Sequence, residues 1–217
     1  MVALLPLFGI IMMSATDIFN RLINDIHTVV MATTDADGKP YTCAIDLMDH
    51  DEQGLYFLTA KGKNLYRRLT RHPYVSLTGI KGESTMTRIA ISLQGNVCEC
   101  EREVLPRLLD KNPYMYEIYP TEQSREGLCA FKIYQGSGEW FDLSKKPIER
   151  ISFSFGSTRE NYSGYFISDS CIGCGKCLPV CPQSCIAING VARIGQEHCL
   201  RCGNCHTICP VGAVERR

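Results

Sequence analysis

The chain has 217 residues, enough for one large domain or for one medium and one small domain. Hydrophobic residues make up 45% and charged residues 21%, a balance that excludes a largely disordered chain. Lys+Arg and Asp+Glu number 23 each, and zero formal net charge gives no electrostatic basis for binding nucleic acid.

Residues 1–12 are apolar but too short to span a bilayer, which takes about 20 residues. No Lys or Arg precedes the apolar run, and no signal-like cleavage site follows it. The reading for residues 1–13 is a misassigned start ahead of Met13, or an extension. The other reading is an extra hydrophobic element docked on the body. No membrane partner is expected.

Ser14 to Asp17 make a helix-cap sequence, and residues 17–26 place Ile18, Phe19, Leu22, Ile23 and Ile26 on one helical face. Residues 27–34 and 40–48 predict two strands of a hairpin around Asp37-Gly38. Residues 49–54 predict a second turn, 55–60 a third strand, and 62–72 a short helix stopped by Pro73. Residues 74–80 and 87–100 predict two more strands, the second with Ile89, Ile91 and Leu93 alternating with polar or small residues. Residues 101–112 predict a helix in which Pro106 marks a kink or a late start. Residues 130–144 predict a last strand, with Gly136 and Gly138 suggesting a bulge. Residues 144–164 read as a polar connection. About six strands joined mainly by hairpins predict an antiparallel barrel or sheet over 14–155, followed by a small cysteine-rich domain over 156–217.

Nine of the 13 cysteines lie between Cys171 and Cys209. A secreted disulfide framework has no reason to repeat one spacing, whereas thiolates held for metal do. A reducing interior, the cytoplasm, is the expected setting. C-x2-C-x2-C-x3-C-P occurs at Cys171, Cys174, Cys177 and Cys181, and again 28 residues later at Cys199, Cys202, Cys205 and Cys209. Gly175/Gly203 and Pro182/Pro210 keep the same offset, so the tail is two matching halves. Structural zinc would need four ligands per site, but a third cysteine at the same short interval followed by C-P, twice over, is unusual for zinc.

The tail resembles the two-cluster bacterial ferredoxins across residues 161–217. Three closely spaced thiolates wrap one face of a 4Fe–4S cluster, and the fourth reaches across to the other cluster. The expected sets are Cys171, Cys174, Cys177 and Cys209, and Cys199, Cys202, Cys205 and Cys181. Cys185 falls outside the pattern, with Ala213 at the matching position. It reads either as a buried thiol acting as a small hydrophobe or as a spare, redox-sensing ligand.

The order helix, hairpin, strand 55–60, residues 61–77 and strand 87–97 resembles the FMN-binding split barrel of the pyridoxamine 5′-phosphate oxidase-like family over residues 14–150. The fold class implied is a mainly β split barrel with helices, joined to a small α+β ferredoxin domain. The resemblance implies a homodimer, with FMN at its interface and the phosphate near the strand-to-helix turn. That turn carries Thr59, Lys61, Lys63 and Asn64 where a helix begins, and a helix N-terminus is a ready anion site. Taken alone it also reads as a solvated basic turn. Arg67 and Arg68 are expected to face solvent. Arg88 reads either as a contact to the phosphate or isoalloxazine from either subunit or as a surface arginine. Cys43 is expected to be a packed small residue and Trp140 a core residue, and His27, His50 and His72 receive no role. Aligning Thr59 with the family's strand-end threonine places Cys43 and Met48 where the true oxidases carry an Arg and a Lys on the phosphate. Their C-terminal substrate segment is also not visible, so a vitamin B6 oxidase is not expected, and Lys61 and Lys63 would carry the phosphate.

These features predict an iron–sulfur flavoprotein oxidoreductase from an anaerobic or facultative microbe. It would pass electrons between two 4Fe–4S clusters and FMN, to or from a small substrate or a redox partner protein. The rivals are a non-catalytic electron carrier whose barrel is a dimerisation scaffold, and a barrel that binds a tetrapyrrole. No nicotinamide fingerprint is present, and no acid–base residue can be named.

Overall fold

The computed structural model describes residues 13–158 and 163–217. The reading made for residues 1–12 lies outside them. Helix α1 (Ala15–Arg21) opens with a capping box: Ser14 Oγ accepts from Asp17 N at 3.1 Å, and Asp17 Oδ2 accepts from Ser14 N at 3.0 Å. It continues as one π-helical turn, Leu22–Ile26. Ile18, Phe19 and Leu22 are fully buried, so the face legible in the periodicity is the one that enters the core.

Strands β1 (Thr28–Thr34) and β2 (Pro40–Asp51) form the expected hairpin. Gly38 takes φ +77°, and Asp35 Oδ1 accepts from the amides of Asp37 and Lys39, both at 2.9 Å. Strand β3 (Gly54–Ala60), helix α2 (Asn64–Arg71), β4 (Tyr74–Lys81) and β5 (Ile89–Glu99) follow in the predicted order. Helix α3 spans Val104–Lys111, with Pro106 third in the helix, where its missing N–H costs no helical bond. Two short helices were not predicted, α4 (Tyr114–Ile118) and α5 (Glu122–Arg125). Strand β6 (Leu128–Asp142) pairs with β3, β5 and β7 (Glu149–Phe155).

The sheet runs β3-β2-β1-β4-β5-β6, and pairing of β3 with β6 closes it into a six-stranded antiparallel barrel. Closure gives each of these six strands a partner on both sides over part of its length. Strand β7 adds to the far half of β6, so the expected polar connection over 144–164 is corrected. Its alternating Ile151, Phe153 and Phe155 pack onto the barrel core. The bulge is also relocated. The register between β5 and β6 slips at Tyr134, not at the glycines. Gly136 and Gly138 instead let the Phe155 and Phe153 rings approach β6 closely, since a Cβ on Gly138 would come within 2.6 Å of Phe153.

The run at β3 is buried on both faces. Leu55 and Phe57 fill the barrel beside Phe131, Leu77 and Ile91, while Tyr56 and Leu58 meet Leu105, Leu108 and Leu109 of α3 outside it. Among the described residues no helix is long and apolar enough to cross a membrane.

The tail folds as two short antiparallel pairs. Strand β8 (Tyr165–Ile167) pairs with β11 (Val214–Arg216), and β9 (Ile186–Asn189) with β10 (Val191–Ile194). Helix α6 (Asn204–Ile208) is one short turn. The repeat seen in the sequence is present in the backbone: Gly173 and Arg201, Gly175 and Gly203, and Ser184 and Gly212 all take positive φ at the same 28-residue offset.

Candidate functional site

The turn between β3 and α2 is built by its own backbone. Lys61 N donates to Gly127 O and Lys63 N to Ala60 O, both at 2.9 Å, which fixes the turn on β6. Lys61, Lys63 and Asn64 stay exposed. No side chain caps α2, and its first turn holds no acidic residue. Its first amides are therefore unsatisfied, and the positive end of the helix faces outward between two lysines. Thr59 is buried, and its Oγ1 has no hydrogen-bond partner among the described residues.

Arg68 does not face solvent as expected. Its Nε donates to the buried Thr33 Oγ1 at 2.7 Å, and its guanidinium lies 4.8 Å from the Tyr41 ring centroid. Burial raises the Cys43 thiol above its ordinary value, while the nearby charges of Arg68 and Lys63 pull it down. Cys43, Lys63 and Arg68 are thus one neighbourhood. Beside it a cavity of about 250 Å³ is lined by residues including Tyr41, Asn64, Arg67, Arg68 and Arg71. The signal was in the sequence: Asn64, Arg67, Arg68 and Arg71 stand at i, i+3, i+4 and i+7 on one helix face.

Arg88 is not brought to this turn within one chain. It precedes Ile89, which pairs with Asp142 at one end of β6, whereas Thr59 pairs with Cys129 at the other. Arg88 is half-buried, and its Nε has no partner among the described residues. Trp140 is a core residue, as expected. His50 bonds Asn20 Oδ1 at 3.0 Å. His27, given no role from sequence, lies 3.1 Å from Tyr114 Oη, which donates to Asp46 Oδ2 at 2.9 Å. No local signal links these three, because Tyr114 sits on the unpredicted α4.

The cysteines of the tail sort into two cavities. One is lined by Cys171, Cys174, Cys177 and Cys209, and the other by Cys181, Cys199, Cys202 and Cys205. Each group takes three cysteines from one half of the repeat and its fourth from the other half. Among the described residues no three His, Cys, Asp or Glu side chains are spaced for a single metal ion. Each cavity carries the four repeat cysteines that one 4Fe–4S cluster would take. Backbone amides approach the sulfurs: Ala213 N reaches Cys209 Sγ at 3.2 Å, and Ala192 N and Arg201 N reach Cys171 and Cys199 at 3.4 Å. Cys185 also lines the second cavity, with its sulfur 3.5 Å from that of Cys181. Its hydrogen bond to Cys199, with burial, pushes the Cys185 thiol far up, and the same bond holds Cys199 down at about 6.

The tail meets the barrel through β6, β7 and the segment leading into β7. Arg201 forms an ion pair with Glu139, which also accepts from Arg150 at 2.6 Å. Ile148 N donates to Gln183 Oε1 at 3.2 Å, and His198 Nδ1 donates to Ile148 O at 2.7 Å.

Residues 15–134, more than half the chain, match the family model described as pyridoxamine 5′-phosphate oxidase. The chain belongs to the pyridoxamine 5′-phosphate oxidase family. The family match runs from α1 into β6 and contains the Thr59–Asn64 turn. Residues 170–213 match a 4Fe–4S dicluster domain, which contains all eight repeat cysteines. A pyridoxine/pyridoxamine 5′-phosphate oxidase from Pseudomonas fluorescens is 27% identical over 144 residues, 65% of this chain and 62% of that protein. One from Yersinia enterocolitica is 38% identical over 53 residues, 24% of each. The chain therefore spans less than two thirds of either relative's length. A NimC/NimA family protein from Clostridium acetobutylicum shares the fold, with a TM-score of 0.53 and 20% identity over 62% of this chain and 88% of that one.

Proposed function

We propose that the protein is an iron–sulfur flavoprotein oxidoreductase. It holds two 4Fe–4S clusters in the cysteine tail and FMN at the β3–α2 turn, and exchanges electrons with a small substrate. The observation that carries this reading is the sorting of the eight repeat cysteines into two cavities, four to each, on a chain that also bears a basic, uncapped helix N-terminus. Bound there, the clusters supply one-electron carriage and the flavin supplies two-electron exchange.

Cys171, Cys174, Cys177 and Cys209 would hold one cluster, and Cys181, Cys199, Cys202 and Cys205 the other. The amides of Ala192, Arg201 and Ala213 stabilise thiolate charge on three of these sulfurs. At the turn, the first amides of α2, the ammonium groups of Lys61 and Lys63 and the Asn64 side chain receive the phosphate, with Thr59 at the strand end. Arg68 places a guanidinium beside Cys43, the position where the resemblance had left a missing positive charge. A second copy would cover the outer face of β1 and β4, where Val30, Tyr74 and Ile80 are exposed, and would bring its own Arg88 to this turn. Free thiolates suit a reducing cytoplasm and an anaerobic setting.

Anaerobic purification with iron, sulfide and flavin quantitation tests the reading. About eight irons and one FMN per chain are expected. About eight irons with no flavin, even after FMN is added, would replace it with a flavin-free electron carrier. A monomer by light scattering would remove the homodimer.

A further inference from the structure

We infer that the tail has a fixed orientation: the cysteine set 181, 199, 202 and 205 is its barrel-facing end, and the set 171, 174, 177 and 209 faces away from the barrel. This rests on the proposed two-cluster reading.

The argument is where the junction contacts fall. Gln183 stands two residues after Cys181, His198 stands one before Cys199, and Arg201 lies between Cys199 and Cys202. These three make the hydrogen bonds and the ion pair to Ile148 and Glu139. Arg201 also reaches Ser152 Oγ at 3.5 Å. Among the described residues, no hydrogen bond or ion pair to the barrel comes from a neighbour of the other set. Cys199 also feels the positive charge of Arg150 on β7. A cavity of about 310 Å³ lies on the barrel wall beside this contact, and Arg201 of the tail lines it together with Ser92, Ser137, Glu139 and Ser152. The cavity of the other set is rimmed by Ile172, 64% exposed, and Val211, 43% exposed.

The contacts also differ in kind from incidental packing. Glu139 is shared between Arg150, on its own sheet, and Arg201, from the tail. Arg150 orients the carboxylate, and Arg201 uses the oxygen that remains. One-electron exchange weakens steeply with distance, so this orientation decides which end serves the barrel.

Trp140 is the only tryptophan in the chain, and it sits beside Glu139 on β6. Bound clusters absorb its emission with a steep distance dependence, so it reports which cluster is near. The full chain is reconstituted anaerobically without flavin, and each emission is read relative to the same variant stripped of iron. Wild type should hold about eight irons, and Cys202→Ala and Cys174→Ala about four each. The expected result is a larger fold-recovery of Trp140 emission in Cys202→Ala than in Cys174→Ala. Equal recovery, or more in Cys174→Ala, overturns the orientation. If a single variant loses both clusters, Glu139→Gln in the intact holoprotein decides: unchanged iron with a rise in relative emission supports the orientation, and no rise overturns it. Wild type that binds no clusters would instead overturn the two-cluster reading, and the orientation with it.

Discussion

Arg68 Nε donates to Thr33 Oγ1 across 2.7 Å and ties α2 to the first hairpin. The bond holds the guanidinium over the Tyr41 ring, on the wall of the cavity that Asn64 and Arg67 also line. Charge-assisted bonds of this type contribute about 1.5–3 kcal/mol. Arg68→Met should therefore lower the urea midpoint, and by removing a cation from the cavity wall it should also weaken FMN binding, as read by titration of flavin fluorescence. Lys63→Glu should weaken it further by placing like charges together. Unchanged affinity in both variants would place the phosphate elsewhere.

The crossed cysteine sets give a quantitative expectation for iron. Cys174→Ser and Cys202→Ser should each lower bound iron from about eight to about four per chain. Each should also destabilise the tail, whose small apolar core of Ile186, Ala192, Cys205 and Val214 cannot hold it alone. Full iron content in both variants would sink the ligand assignment.

Cys185→Ala should leave iron content at about eight. The matching position in the other half is Ala213, buried and tolerated beside Cys209. Loss of one cluster from this variant would instead make Cys185 a ligand.

Gly138→Ala tests how β7 is seated. The new Cβ would lie 2.3 Å from Ser92 O and 2.6 Å from the Phe153 ring. Overpacking of this kind costs about 1–3 kcal/mol. The urea midpoint should fall, with amide exchange fastest along β7. An unchanged midpoint would mean that both the β5 backbone at Ser92 and the Phe153 ring are free to give way.

Asp51 makes barrel stability depend on pH. Burial alone would raise its carboxyl, but bonds from Lys132 at 2.8 Å, Tyr56 at 2.7 Å and Gln53 at 2.8 Å outweigh burial and hold it below the usual value. The folded value lies below the unfolded one, so the contribution is complete above the unfolded value of about 4 and disappears as pH falls through the folded value. Asp51→Asn should lower the urea midpoint at pH 7, and its difference from wild type should close toward pH 3. A difference that stays constant with pH would assign the effect to packing.

The features legible in the sequence were those fixed by near neighbours. The Asp37-Gly38 hairpin, the capping box at Ser14 and the cysteine repeat all depend on residues a few positions apart. Strand β7 was hidden because its partner surface is made by Gly136 and Gly138, whose lack of side chains reads locally as a bulge. Helices α4 and α5 are too short to form without tertiary support, so no periodicity betrays them. Arg68 shows the same limit: the helix face was readable, but the hairpin wall it meets comes from residues 33–41. The His27–Tyr114–Asp46 grouping joins three distant segments and left no trace in any one of them.

Gly173 and Arg201 occupy equivalent left-handed positions in the two halves of the tail. Such a conformation is strained for an arginine and free for a glycine. A perfect duplicate would offer two interchangeable ends and would dock either way round. Arginine at one copy, answered by Glu139, breaks that symmetry and turns a repeat into a polar object with a front and a back.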